Sequence, residues 1–339
     1  MILRAILALL AAACLAACAT AAPDSAVPKR IALTFDDVPR HAGAFLTEEE
    51  RTTRLIDGLE RAGVEQAAFF VTTGNLEQTT GGADRIARYV AAGHVLANHT
   101  HSHRHLSEVS AEEYLADIDR AAAWLAQHEA NRPWMRYPYL DEGRDDRAKR
   151  EAVRAGLAAR GVSNGIVTID ASDWHYDDLA AKAKAAGKPI DMDALGALWV
   201  ESHVEAAEFY DDLARRALGR SPAHVMLLHE ADVTALYLAD LVAALKARGW
   251  EIVTADEAFA DPLARMLPEV PSAQGTITEM VAWERGLPAP RWYERNSEAL
   301  ATAEFERRVL IAPSLSSSPR TRGSREASAA LAGFPLSRE

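Results

Sequence analysis

Apolar residues along this chain fall into short unbroken runs that alternate with longer stretches of helical period, and the alternation sets the expected architecture. The runs Ile31–Asp37, Gln66–Thr72, His94–Ala97, Trp134–Tyr137, Gly165–Asp170, His224–His229 and Trp250–Thr254 read as buried strands. Between them the period changes to that of a helix. One helix follows Thr47, carries Leu55, Ile56 and Leu59 on one face and ends at Gly63; another spans about Asp84–Ala92 and stops before Gly93. Leu115, Ile118, Ala122 and Leu125 share a third helical face, and further helices fit Asp145–Arg160 and Thr234–Arg248. Thr47 with Glu50, and Ser110 with Glu113, have the spacing of capping boxes. Strands alternating with helices imply an α/β fold with a parallel sheet, closed or nearly closed into a distorted (β/α) barrel.

Two stretches interrupt the repeat. Tyr176–Arg220 is a long helical excursion between strands, broken at Gly187-Lys188-Pro189, and suits either the wall of a substrate groove or an elaboration. Beyond Asp261 the periodicity fades into a C-terminal extension, residues 262–339. Within it, Pro268–Glu306 is expected to form short helices that pack back on the domain, anchored by Trp283, Trp292 and Tyr293. Ala312–Arg325 is low in complexity and expected to be disordered.

The N-terminus belongs to export rather than to the fold. Arg4 precedes an apolar run from Ala5 to Ala17 that is short for a membrane span, and small residues follow it. Leu15-Ala16-Ala17-Cys18 resembles a bacterial lipobox, which makes Cys18 the candidate lipidated residue; the alternative is an ordinary signal peptide cut near Ala21-Ala22. Residues 1–18 are thus read as a lipoprotein-type signal peptide and 19–28 as a tether. The folded domain is assigned to 29–261, facing the periplasm of a bacterial envelope and held to the membrane only by the lipid. Both cysteines lie in the leader, which leaves the mature domain without an internal disulfide. A net charge of −12 and the absence of a basic run argue against nucleic acid or an anionic membrane surface as partner, whereas an uncharged glycan is compatible.

Candidate chemistry collects where strands end. Asp36 and Asp37 are adjacent carboxylates at such an end; they either share a cation or cap a turn into Val38-Pro39, and the stretch alone favours the turn. His99 and His103 are four residues apart, so one helical turn would place both rings on one face, the arrangement of a two-histidine metal site. His101 and His105 have the same spacing.

Five ordered motifs resemble those of the polysaccharide deacetylases, the NodB-homology or carbohydrate esterase family four hydrolases. They are Thr34-Phe35-Asp36-Asp37, Asn98-His99-Thr100-His101-Ser102-His103, Arg136-Tyr137-Pro138-Tyr139, Asp170-Ala171-Ser172-Asp173-Trp174 and Leu227-Leu228-His229. The resemblance covers about Lys29–Asp261 and implies the NodB-type barrel. It also selects His99 and His103 over their neighbours, because Thr follows the first ligand in the family pattern.

By that resemblance Asp37, His99 and His103 hold a divalent ion, Zn²⁺ by implication. Asp36 is the general base and Arg136 orients it; His229 is the acid that protonates the leaving amine, supported by Asp173. The Tyr139 backbone N–H faces the oxyanion, and Trp174 walls the acyl pocket. The implied reaction is N-deacetylation of an acylated glycan, peptidoglycan or chitin-like. Alternatives are O-acetyl ester hydrolysis on xylan-like polymers, or a lipid-tethered glycan-binding protein without turnover. One departure concerns the loop: where the family has Arg-Pro-Pro-Tyr-Gly this chain has Arg-Tyr-Pro-Tyr-Leu, so the Tyr139 amide is expected to lie on an altered path.

Overall fold

The computed structural model describes residues 28–311. Cys18, the leader, the tether up to residue 27 and the Ala312–Arg325 stretch lie outside them. At the centre runs β1 (Lys29–Val38), buried from Ile31 through Asp36. After it come α1 (Glu48–Ala62), β2 (Ala68–Val71), α2 (Gly82–Ala91), β3 (Val95–Asn98), α3 (Ala111–Leu125), β4 (Asn131–Met135), β5 (Asp141–Arg144) and α4 (Arg147–Ala159). Next are β6 (Ser163–Asn164), α5 (Asp173–Ala185), α6 (Met192–Leu218), β7 (Ala223–His229), α7 (Asp232–Ala247) and β8 (Trp250–Ile252). The chain finishes with α8 (Ala255–Ala260), β9 (Ala273–Gln274), α9 (Ile277–Glu284) and α10 (Glu298–Arg308).

The boundaries follow local chemistry. Thr47 and Glu50 close the expected capping box on α1, and Gly63 ends that helix in the left-handed region, where glycine carries no Cβ penalty. Ser110 and Glu113 close a second capping box on α3, whose buried face is Tyr114, Ile118, Ala121 and Leu125, with Tyr114 and Ala121 in place of the expected Leu115 and Ala122. Each such cap is worth about 1 kcal/mol.

The main sheet is parallel in the order β6-β4-β3-β2-β1-β7, with β8 also on β1. It curls because the chain leaving β6 crosses to β7. Gly165 N–H donates to Met135 O at 2.7 Å, then Thr168 and Ile169 N–H donate to Val225 O at 3.0 and 3.1 Å. Of the expected strand Gly165–Asp170 only a single bridge forms, Ile169 to Met226, and the two-residue β6 lies just before it. Its carbonyls are satisfied by a side chain instead: Arg136 donates to Gly165 O at 2.7 Å and to Ile166 O at 3.1 Å.

Residues of β1 alternate between two cores, as the pleat requires. Ile31, Leu33 and Phe35 pack toward the helices, with Leu55, Trp199 and Leu241. Ala32 faces inward with Phe70 and Val225, and that cluster is completed by Phe259, Ile277, Met280 and Val281. The segment beyond Asp261 is thus part of the same core. Its anchors are these aliphatics, with Tyr293 and Phe305; Trp283 and Trp292, expected as anchors, are 36% and 48% exposed, so their rings stay at the surface.

The excursion forms α5 and α6, separated at Gly187 as the sequence indicates. α6 buries Trp199 and Leu213, and Asp191 caps its start.

Candidate active site

A bulge decides how the adjacent acids are used. Successive side chains on a regular strand point to opposite faces, but pairing of β1 with β2 shifts between Phe35 and Val38, and Asp37 takes a left-handed φ of 65°. Both carboxylates then serve one site. Asp tolerates this conformation better than most residues.

Next to it, Val71 O accepts the His99 N–H and leads into the histidine loop. The loop contains no helical turn, contrary to the sequence expectation. Thr100 and His103 both have positive φ, 65° and 52°. The loop is held by local bonds: Thr100 N–H to Asn98 Oδ1, His103 N–H to Thr100 Oγ1, and the His101 and Ser102 N–H groups to Asp117. This irregular path, rather than a 3.6-residue period, brings the imidazoles of His99 and His103 together.

Ligand atoms of Asp37, His99 and His103 lie within 4.8 Å of one another. His99 Nδ1 is 3.0 Å from the Arg136 carbonyl, which can only accept, so Nδ1 carries the proton and Nε2 presents its lone pair. Asp37 Oδ1 is 2.9 Å from His103 Nε2 and 3.5 Å from His99 Nε2. It is nonetheless buried without an aligned hydrogen bond. Burial pushes the Asp37 carboxyl up, but the facing His103 and His99 rings hold it well below the usual carboxylate range. Two imidazole nitrogens and an ionised carboxylate turned toward a common point form a donor set that a divalent ion fits. The other two histidines are occupied elsewhere: His101 Nδ1 lies 2.9 Å from Thr73 Oγ1, and His105 Nδ1 lies 3.2 Å from Asp141.

Asp36 remains beside this group and is bonded differently. Its Oδ1 accepts from Arg136 Nη1 at 2.6 Å, while Oδ2 is 3.6 Å from His99 Nε2. Arg136 is wholly buried and spends its donors on Thr34 Oγ1, Asp36 and the carbonyls of Gly165 and Ile166, with its charge 3.8 Å from the Phe70 ring. The guanidinium therefore joins β1 to the crossing segment while fixing one carboxylate.

Parallel pairing of β1 with β7 sets Asp36 opposite His229. Asp173, at the start of α5, holds that histidine: Oδ1 is 2.7 Å from Nδ1, and Oδ2 takes the His229 N–H at 2.7 Å and the Thr234 hydroxyl at 3.0 Å. Burial alone would depress the imidazole, yet the Asp173 carboxylate raises it to about 9. Asp173 itself, pushed up by burial, is brought down to about 2 by His229. Such a pair keeps the ring cationic with Nε2–H free at neutral pH.

Tyr139 and Trp174 sit at the rim, 51% and 40% exposed, and so are open to a ligand. The Tyr139 ring stacks on His105 at 3.6 Å and meets His103 edge-on at 4.7 Å. Both Tyr139 and Leu140 have positive φ, 58° and 49°. Leu140 thus adopts a conformation that glycine enters freely, at a cost of roughly 1–2 kcal/mol for an L residue.

From Asp37 and His103 a groove of about 490 Å³ runs past Arg40, His41 and Asn75 to Asp177 on α5. The excursion therefore walls a groove, one of the two roles open to it. Arg40, Asp177 and Thr234 carried no signal in the sequence, because no periodicity or motif marks them.

Residues 24–159 match a family model described as polysaccharide deacetylase. The chain is similar to a chitin deacetylase of Arthroderma benhamiae, 27% identical over 238 residues that cover 69% of this chain and 53% of that protein. It is also similar to a peptidoglycan-N-acetylglucosamine deacetylase of Bacillus cereus, 34% identical over 110 residues, 32% of this chain and 36% of that one. A solved polysaccharide deacetylase from Bacillus cereus superposes with a TM-score of 0.49 at 21% identity, over 67% of this chain and 91% of that one. The chain spans about half or less of the length of these two curated relatives.

Proposed function

This chain belongs to the polysaccharide deacetylase family through its residues 24–159, and we propose that it is a metal-dependent hydrolase removing N-acetyl groups from a peptidoglycan or chitin-like glycan. The observation that carries this reading is the convergence, at the ends of β1, β3 and β7 of one sheet, of a His–His–Asp donor set with a carboxylate held by arginine and an imidazolium held by a carboxylate.

Asp37, His99 and His103 would hold the ion, and Zn²⁺ suits two imidazoles and one carboxylate. When bound, such an ion polarises the acyl carbonyl and makes water acidic enough to act as a nucleophile near neutral pH. Asp36 takes the proton from the attacking water; its bond to Arg136 keeps one oxygen engaged and leaves the other facing the ligand group. His229 gives its Nε2 proton to the departing amine nitrogen, with Asp173 fixing tautomer and charge through Nδ1. The Tyr139 N–H would face the oxyanion and Trp174 the acyl methyl.

Acetate release from N-acetylglucosamine oligomers and murein fragments, with and without chelator, tests the proposal. Chelator-sensitive release is expected; none from any acylated glycan would defeat it. Release from acetylated xylan alone would move the assignment to an ester hydrolase, and glycan binding without any release would make the protein a silent binder.

The Asp173–His229 pair makes the rate depend on pH. The acid must be protonated, so kcat falls as pH rises through about 9. Asp173→Asn removes the anion while the burial remains, so the ring falls to about 6.5 or below and activity at pH 7.5 drops by about tenfold or more. An alkaline limb that does not move in this variant would disconnect His229 from the acid role.

We also propose that the protein is exported and faces the periplasm of a bacterial envelope, held to the membrane by a lipid on Cys18. Among the described residues no helix is long and apolar enough to cross a membrane. Cys18→Ala is expected to shift the protein from the membrane to the soluble fraction; unchanged retention would remove the lipid from the account.

A further inference from the structure

We propose that Asn296, in the C-terminal segment beyond the family match, is a positioning residue for the Asp173–His229 pair. Asn296 lies between α9 and α10, and its side-chain amide is bonded on every side. Nδ2 donates to the Asp170 carbonyl at 3.0 Å and to the Tyr210 hydroxyl at 3.3 Å, while Oδ1 accepts from Ser172 Oγ at 3.1 Å. The orientation of the amide is fixed, because the Asp170 backbone carbonyl can only accept, so the atom facing it is Nδ2.

What the amide grips is the turn that delivers Asp173. Ser172 immediately precedes it with φ 51° and ψ 46°, a left-handed conformation that serine rarely adopts and that surrounding contacts must hold. No side chain caps the start of α5. Within the turn, Ser172 N–H bonds to Asp170 Oδ1 at 2.9 Å. Asn296 therefore clasps both sides of the turn, one atom on Asp170 and one on Ser172. A second tie from the same segment sits one turn further along α5, where His175 Nε2 lies 2.9 Å from Thr302 Oγ1.

Asp173 has little freedom to be misplaced. Its two oxygens serve the His229 N–H, His229 Nδ1 and the Thr234 hydroxyl at once. Other charged or titratable groups face this pair: Asp36 and Asp37 from β1, Asp170 from the crossing segment, and His203 from α6 behind Asp173. Relaxation of the turn moves Asp173 and, on its other side, Asp170, while Asp36, Asp37 and His203 keep their places; Asp173 alone bonds the His229 ring, so the loss registers as a weaker hold on the His229 proton. The C-terminal segment is by this account a working part of the site, although its sequence lies outside the motifs that define the family.

The catalytic consequence rests on the hydrolase reading, whereas the placement itself can be read without turnover. In chelated full-length protein, the His229 ring is titrated by NMR for the parent, Asn296→Ala and Ser172→Ala, beside pH profiles of acetate release for the metal-loaded forms. Asn296→Ala is expected to lower the His229 pKa by about one unit, tenfold in proton affinity, and to shift the alkaline limb equally. kcat falls several-fold and KM stays near that of the parent. Ser172→Ala removes only the hydroxyl end of the clasp, gives a smaller shift of the same sign, and serves if Asn296→Ala does not fold. A folded variant whose His229 titrates as in the parent overturns the proposal. A parent that releases no acetate, with the titration shift present, sinks the hydrolase reading and leaves the positioning role standing.

Discussion

Asp36→Asn is expected to lower kcat for acetate release by about 10³-fold, within the range that a positioned general base contributes. The substitution is nearly isosteric. The amide oxygen can still accept from Arg136 Nη1, now 2.6 Å from Asp36 Oδ1, so Arg136 keeps a partner. Asp37, His99 and His103 are untouched, and the variant should bind the metal with parental stoichiometry. Metal content, a melting curve and kcat measured on one preparation separate these effects. Turnover within tenfold of the parent would place the base elsewhere. Loss of metal together with activity would mean that Asp36 is a ligand, which its 3.6 Å distance from His99 Nε2 and its bond to Arg136 argue against.

Arg136→Met should cost stability as well as rate. The side chain is among the largest fully buried groups and serves Asp36, Thr34 Oγ1 and two carbonyls of the crossing segment. Removing one partner of a buried ion pair typically destabilises by about 3–5 kcal/mol, since the remaining charge stays desolvated without compensation. The carbonyls of Gly165 and Ile166 also lose donors that no neighbouring strand replaces. A fall in melting temperature on the order of 10 °C is the expected reading. Lysine would not substitute, because a single ammonium cannot span acceptors on both β1 and the crossing segment as the planar fork does. If Arg136→Met melted within about 2 °C of the parent, the arginine would not be what holds the crossing segment to β1.

Much of the fold is legible in local sequence. Alternation of apolar runs with helical periods identified β1, β2, β3, β7 and β8 and the helices between them, and the two capping boxes located the starts of α1 and α3. Such signals are local: three or four neighbouring residues determine them, and burial in the fold reinforces the same choice. The strand Gly165–Asp170 was misread because its sequence suits a sheet, but Arg136 competes for its carbonyls. The tryptophans were misread because a large apolar ring has no required address; Trp283 found Arg291 at the surface, 5.0 Å from its ring, instead of the core.

For the site, the sequence by itself determined the residue types and their order along the chain: paired acids at a strand end, a histidine loop, an arginine, an aspartate and a final histidine. Tertiary structure decided which of them meet. Left-handed backbone at Asp37, Thr100 and His103 turns Asp37, His99 and His103 to one point and leaves His101 and His105 out. Parallel pairing sets Asp36 against His229, and a C-terminal asparagine reaches back to the turn before Asp173. None of these is encoded by spacing, because a positive φ at a non-glycine residue persists only where surrounding contacts hold it, and contacts between residues more than a hundred positions apart exist only once the chain has folded.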